Sequence, residues 1–227
     1  MTKLRYWRGG FWYWDSGIYW RKSDDEIKKL VADFLYGAKR RAEDKDTGGF
    51  RPVPFNPKAR DISEVMSAVE NEVLLPDGFA APCWLPDGEA ATDWIVCRNG
   101  IVNVRTSEFL QHTHTLWAHS ALGWDWEPDA TCPSFDAYLE GCFPGDPDAH
   151  CAATEWLGYC MTADTKADKG MLLLGVARSG KSTFTQLLKE LVGPRNVASL
   201  SLNSWLRGEF SAHSLIGKRA AVFSMFG

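Results

Sequence analysis

The most constraining feature of this chain is the run Gly175-Val176-Ala177-Arg178-Ser179-Gly180-Lys181-Ser182, which directly follows the apolar tetrad Met171-Leu172-Leu173-Leu174. A short, continuous apolar run of this kind reads as a strand buried on both faces in a parallel sheet. Thr183 to Leu191 reads as a helix, with Phe184, Leu187, Leu188 and Leu191 on one side and Gly193-Pro194 ending it. The spacing is the Walker A pattern, GxxxxGK[ST], between a strand and a helix, and it commits this part of the chain to an α/β architecture.

Each residue type in the run has a chemical reason. Gly175 and Gly180 let the backbone curl so that successive N–H groups, including those of Val176, Ala177, Arg178 and Ser179, face one anion. The helix N-terminus adds its partial positive charge. Lys181 carries the formal charge expected to bridge the β- and γ-phosphates of a nucleoside triphosphate, ATP in the first instance. The Ser182 hydroxyl is expected on Mg²⁺ and Thr183 beside the α-phosphate, while the Arg178 side chain reads as solvent-facing. Ordinary residue frequencies produce the eight-residue pattern roughly once in a hundred chains of this length.

The remaining sequence bounds the setting. With 227 residues and 45% hydrophobic content, the chain can fill a core of one large or two modest domains. Its net charge of -4 argues against a chain-wide nucleic-acid coat, so any DNA contact is expected to be local. No apolar run approaches a bilayer span, and the expected setting is soluble and cytoplasmic, with no membrane partner. Cys83, Cys97, Cys132, Cys142, Cys151 and Cys160 are widely spaced without a CxxC pair and read as buried thiols.

Along the chain, Phe11 to Trp14 and Ile18 to Trp20 flank Asp15-Ser16-Gly17 and predict a hairpin packed on the helix that follows. That helix, about Asp24 to Tyr36, is announced by the capping box Ser23 and Glu26. Lys39-Arg40-Arg41 reads as a solvated helix end, and residues 43 to 60, with Pro52, Pro54 and Pro57, as a loop. A second helix is expected from Asp61 to Leu74. Asn99-Gly100 marks a second hairpin, since both residues accept positive φ. His112, His114 and His119 read as strand or loop histidines rather than a metal cluster. Two helices, opened by Pro133-Ser134 and Asp146-Pro147, lead to the glycine-rich loop.

In order and spacing these segments resemble the phage, plasmid and poxvirus-type primase-helicases, whose motor is a superfamily 3 helicase of AAA+ descent. The resemblance rests on Phe11 to Ala38, Asn99-Gly100, Cys132-Pro133-Ser134-Phe135 through Leu139, Leu157-Gly158-Tyr159, the loop itself, and Leu215 to Phe223. It implies a mixed α/β and α+β fold: a mostly helical domain with β-hairpins over 1–165, then the first part of a P-loop AAA+ core over 166–227. It also implies an ATP-dependent DNA helicase, working as a hexameric ring on single-stranded or forked DNA in a bacterial host or virus-infected cell.

One departure bears on activity. The family's second core strand ends in acidic Walker B residues, whereas Ala220-Ala221-Val222-Phe223 is followed by Ser224, with Met225 at the acidic position. No complete catalytic set is therefore expected in these residues, and the sensor and arginine finger are expected elsewhere. Two other classes share the loop: a nonenzymatic helicase relative that joins or poisons rings, and a P-loop phosphotransferase. The sheet edge left by residues 171 to 223 is expected to be sticky, and that part mobile or paired with another chain.

Overall fold

The computed structural model describes residues 2–43, 48–85, 87–208, 215 and 217–224. They form two compact units, Met1–Asp15 with Tyr19–Phe79, and Ser16–Ile18 with Ala80–Gly227.

In the first unit, β1 (Leu4–Trp7), β2 (Gly10–Asp15) and β3 (Ile18–Lys22) form one sheet in that order. The helix α1 (Asp24–Gly37) begins at the predicted capping box: Glu26 N–H donates to Ser23 Oγ at 3.2 Å and Ser23 N–H donates to Glu26 Oε2 at 2.8 Å. Phe11, Ile27 and Val73 form the buried centre, with Leu4, Tyr6, Met66 and Val69 around them. It is Phe11 that packs against α1; Trp12 meets Trp7 edge-on, and the Lys3 ammonium lies over Trp14.

Two segments depart from expectation here. Lys39-Arg40-Arg41 is not a helix end but the start of β4 (Lys39–Glu43), paired antiparallel with β5 (Phe50–Pro54) inside the stretch expected to be a loop. Prolines are tolerated because Pro52 and Pro54 are two residues apart and share the ladder positions whose N–H faces away from the partner strand. The bond from Phe55 N–H to Ala38 O, 2.9 Å, continues that alternation. The helix α2 (Ala59–Glu72) then follows close to its predicted place.

The second unit opens with short antiparallel strands: β6 (Cys83–Trp84), β7 (Glu89–Ala90), β8 (Trp94–Val96), β9 (Ile101–Asn103), β10 (Phe109–Leu110) and β11 (Leu116–Trp117). They make two sheets, ordered β10-β9-β8 and β11-β6-β7. The hairpin at Asn99-Gly100 forms, but neither residue has positive φ. Gly100 is needed for room instead, since a Cβ there would sit 2.4 Å from the Phe109 ring and 2.6 Å from Leu110 O. Asn99 clasps the next loop, accepting from Trp126 N–H at 2.8 Å and donating to Trp126 O at 3.1 Å.

The helices α3 (Pro133–Cys142), α4 (Pro147–Met161) and α5 (Lys181–Val192) pack on this base, burying Leu139, Leu157, Cys160, Phe184, Leu188 and Val192 with Ile95, Val102 and Leu122. The indole N–H of Trp124 donates to Leu191 O at 2.8 Å. After α5 come β12 (Val197–Ser201), α6 (Leu202–Leu206) and β13 (Ala220–Ser224), with β12 and β13 parallel, Val197 opposite Ala220 through Ser201 opposite Ser224. Arg219, at the base of β13, donates to Ser120 Oγ at 2.9 Å and to Met161 O; burial lowers its pKa to about 10.

Two more expectations are corrected in this unit. Met171-Leu172-Leu173-Leu174 belongs to no strand: Met171 and Leu173 pack on the core, whereas Leu172 and Leu174 are 70% and 78% exposed. The alternation is that of a strand with one covered face; the ladder partner that would make it a strand is absent among the described residues. The six thiols are also not uniformly buried. Cys83, Cys97 and Cys160 are, and burial pushes each to about 11, while Cys132 and Cys151 are exposed and Cys142 is partly so. Among the described residues no helix is long and apolar enough to cross a membrane.

Candidate functional site

The predicted site residues converge at the start of α5. Gly180 is its N-cap, in the left-handed region at φ 86, and Lys181, Ser182 and Thr183 form the first turn. Gly180 must be glycine for two reasons, its φ and the 2.7 Å that would separate an added Cβ from Cys142 Sγ. At Gly175 an added Cβ would lie 2.7 Å from Ser179 Oγ, so the loop closes tightly on itself. Between them Val176, Ala177, Arg178 and Ser179 are exposed, and Arg178 takes a left-handed φ of 63. A non-glycine residue there costs on the order of 1 kcal/mol, held by the turns around it.

Lys181 folds back over this loop. Its ammonium donates to Gly175 O at 2.8 Å, Val176 O at 2.7 Å and Ser179 Oγ at 3.1 Å, using all three N–H bonds. The charge is thus held at the mouth of the loop by neutral acceptors, which an anion can displace. Among the described residues the backbone N–H groups of Lys181, Ser182 and Thr183 have no acceptor; the first helical bond of this end is Phe184 N–H to Gly180 O at 2.9 Å. The Ser182 hydroxyl likewise has no partner among the described residues and is exposed, which suits a metal ligand. One end of α5 therefore brings together a cation, three free N–H donors, the helix dipole and an open hydroxyl.

Sequence reasoning missed the supports of this loop. Tyr138 on α3 donates its phenolic O–H to Gly180 O at 3.0 Å, and Cys142, one turn on, lies 3.9 Å from Ser179 O. Burial, with the neighbouring Cys142, pushes the Tyr138 phenol up to about 12, so it stays a donor at neutral pH. The separation of 42 residues left no local signal for this pair. Lys181, Ser182 and Thr185 also line an open cavity of about 1140 Å³ whose wall includes Met171 to Leu173 and β13, and whose carboxylates among the described residues are Asp164 and Asp168. Ser224 closes β13 on that wall, and Met225, the position noted for its missing acid, lies outside the described residues.

His112 Nε2 is 2.8 Å from Cys97 O, and His119 packs edge-on against Trp117 with ring centroids 4.7 Å apart. Burial lowers the pKa of His119 to about 4, so its ring is neutral at physiological pH.

The fold and this site define a mixed α/β protein in which small antiparallel sheets and helices precede a glycine-rich loop at a helix N-terminus. The chain belongs to the D5 N terminal like family, whose model matches residues 1–144. That match carries the primase-helicase and DNA-replication context of the resemblance over the same residues. No curated protein matches the chain. The matched span includes Tyr138 but ends before the loop, so the family segment and the loop meet at the Tyr138 to Gly180 hydrogen bond.

Proposed function

We propose that this chain is an ATP-binding portion of a replicative DNA helicase of the primase-helicase type, with the nucleotide's phosphates held at residues 175–183. The observation that carries the reading is the Lys181 ammonium, poised on Gly175 O, Val176 O and Ser179 Oγ beside the unpaired N–H groups of the first turn of α5. On binding, Lys181 exchanges these acceptors for phosphate oxygens, the N–H groups of Gly180 to Thr183 donate to the anion, and Ser182 offers its hydroxyl to Mg²⁺ bound with the nucleotide. Tyr138 holds the Gly180 carbonyl back so that the N–H groups stay turned toward the anion. Single-stranded or forked DNA and a hexameric ring are the partners that the family context suggests.

Binding rather than hydrolysis is the core of this reading, because β13 presents Phe223 and Ser224, not a carboxylate, at the cavity wall. Calorimetric titration with ATP and Mg²⁺ tests it. The wild type is expected to bind, and Lys181→Ala to lose at least tenfold in affinity with an unchanged melting temperature. Equal affinity in the two proteins would remove the phosphate role from Lys181.

A further inference from the structure

We infer that the hairpin β4–β5 is a binding site for single-stranded nucleic acid, separate from the phosphate loop and independent of the ATP-binding proposal. Its ten strand residues carry Lys39, Arg40, Arg41 and Arg51 against one carboxylate, Glu43, in a chain whose net charge is -4. All four cations are exposed, and among the described residues none makes a side-chain hydrogen bond or ion pair. By contrast Arg98 is paired with Asp125, Arg105 with Asp93 and Arg60 with Glu64. Asp44, Lys45 and Asp46, between the two strands in sequence, lie outside the described residues.

The register arranges these charges. Lys39 and Arg41 share one face, about 7 Å apart along the strand. Phe50, 73% exposed, lies on that face diagonal to Arg41, because it is paired with Glu43 and Arg41 with Pro52. Arg40 and Arg51 lie diagonally on the other face, where Val53 and Ala42 oppose them. A strand of cations with an unburied aromatic beside it offers phosphate contacts and a stacking surface together, the combination that suits unpaired bases.

Two other uses of the hairpin fit less well. Pro52 and Pro54 remove the N–H groups on the outer edge of β5, so the edge cannot extend by pairing with another protein's strand. Compensation of the α1 dipole engages at most the residue next to the helix end, Lys39, and leaves Arg41 and Arg51 without a role.

Fluorescence anisotropy of the full chain with a labelled 20-nucleotide oligothymidylate tests the site, with an oligouridylate of equal length to tell DNA from RNA and a 20-base-pair duplex as the comparison. Four phosphate contacts predict about a 50-fold loss of affinity between 50 and 200 mM salt. Lys39→Ala with Arg41→Ala, or Arg40→Ala with Arg51→Ala, is expected to reduce that dependence to about 7-fold. Phe50→Ala should weaken binding about 5-fold or more without changing the salt slope. Arginine-to-lysine variants at 40, 41 and 51 keep the charge and should keep the slope, and Lys181→Ala should leave binding untouched. Absence of binding to either single strand at 50 mM salt, an unchanged slope in both alanine pairs with folded circular dichroism spectra, or tighter binding of the duplex would overturn the assignment.

Discussion

At the residue scale the site depends on contacts that sequence spacing does not reveal. Lys181 and Ser182 were legible because their chemistry sits inside one eight-residue pattern, and the structure gathers them on one turn of α5. Tyr138 was not, because its hydrogen bond to Gly180 O joins residues far apart in the chain. Removing that hydroxyl in Tyr138→Phe deletes one hydrogen bond of about 1 kcal/mol. ATP affinity measured by calorimetry should fall about 3- to 10-fold with little change in melting temperature. Gly180→Ala is harsher, since it meets both the positive φ and Cys142. Urea unfolding should show a loss of about 1–3 kcal/mol.

His119 supplies a pH-dependent term of known sign. Its folded pKa, about 4, lies below the unfolded value because burial disfavours the charged ring. Between pH 6.5 and 4 the unfolded chain binds the extra proton, so stability is full above that window and falls as pH drops through it, by up to about 3 kcal/mol. Urea midpoints at pH 7 and pH 4.5 should differ more in the wild type than in His119→Asn.

At the element scale, helices read from the sequence better than strands. The capping box at Ser23 and the prolines at the first turns of α3 and α4 are local signals, and the helices start there. The strands β4 and β5 were hidden because charge and proline mask a ladder that only pairing defines. Asn99-Gly100 pointed to the right hairpin for a different physical reason: Gly100 makes room for Phe109, and Asn99 ties down Trp126. Asn99→Ala loses both hydrogen bonds to that backbone and should cost about 1–2 kcal/mol in urea unfolding, with the m-value unchanged. The tetrad Met171 to Leu174 carries the apolar pattern of a buried strand, yet pairing, which the pattern does not encode, is what makes one. Its amides should exchange within minutes by mass spectrometry, while those of Phe184 to Val192 in α5 stay protected.

At the scale of the whole molecule, long-range packing sets how the chain is partitioned. Two compact units divide near residue 80, and the second holds both the strands after Ala80 and the glycine-rich loop. Composition and motif order carried the mixed α/β class, and the family match over residues 1–144 agrees with the resemblance. Ile95, Val102 and Leu122 lie in the same core as Phe184, Leu188 and Val192, and no local pattern announces such long-range packing.

The central claim is that a nucleotide's phosphates sit at residues 175–183, and amide chemical shifts of isotopically labelled protein, recorded with and without ATP and Mg²⁺, address it at the atoms concerned. The account predicts that the largest shifts fall on Gly180, Lys181, Ser182 and Thr183, and that they vanish in Lys181→Ala. Shifts centred elsewhere, or none with millimolar ATP, would contradict it.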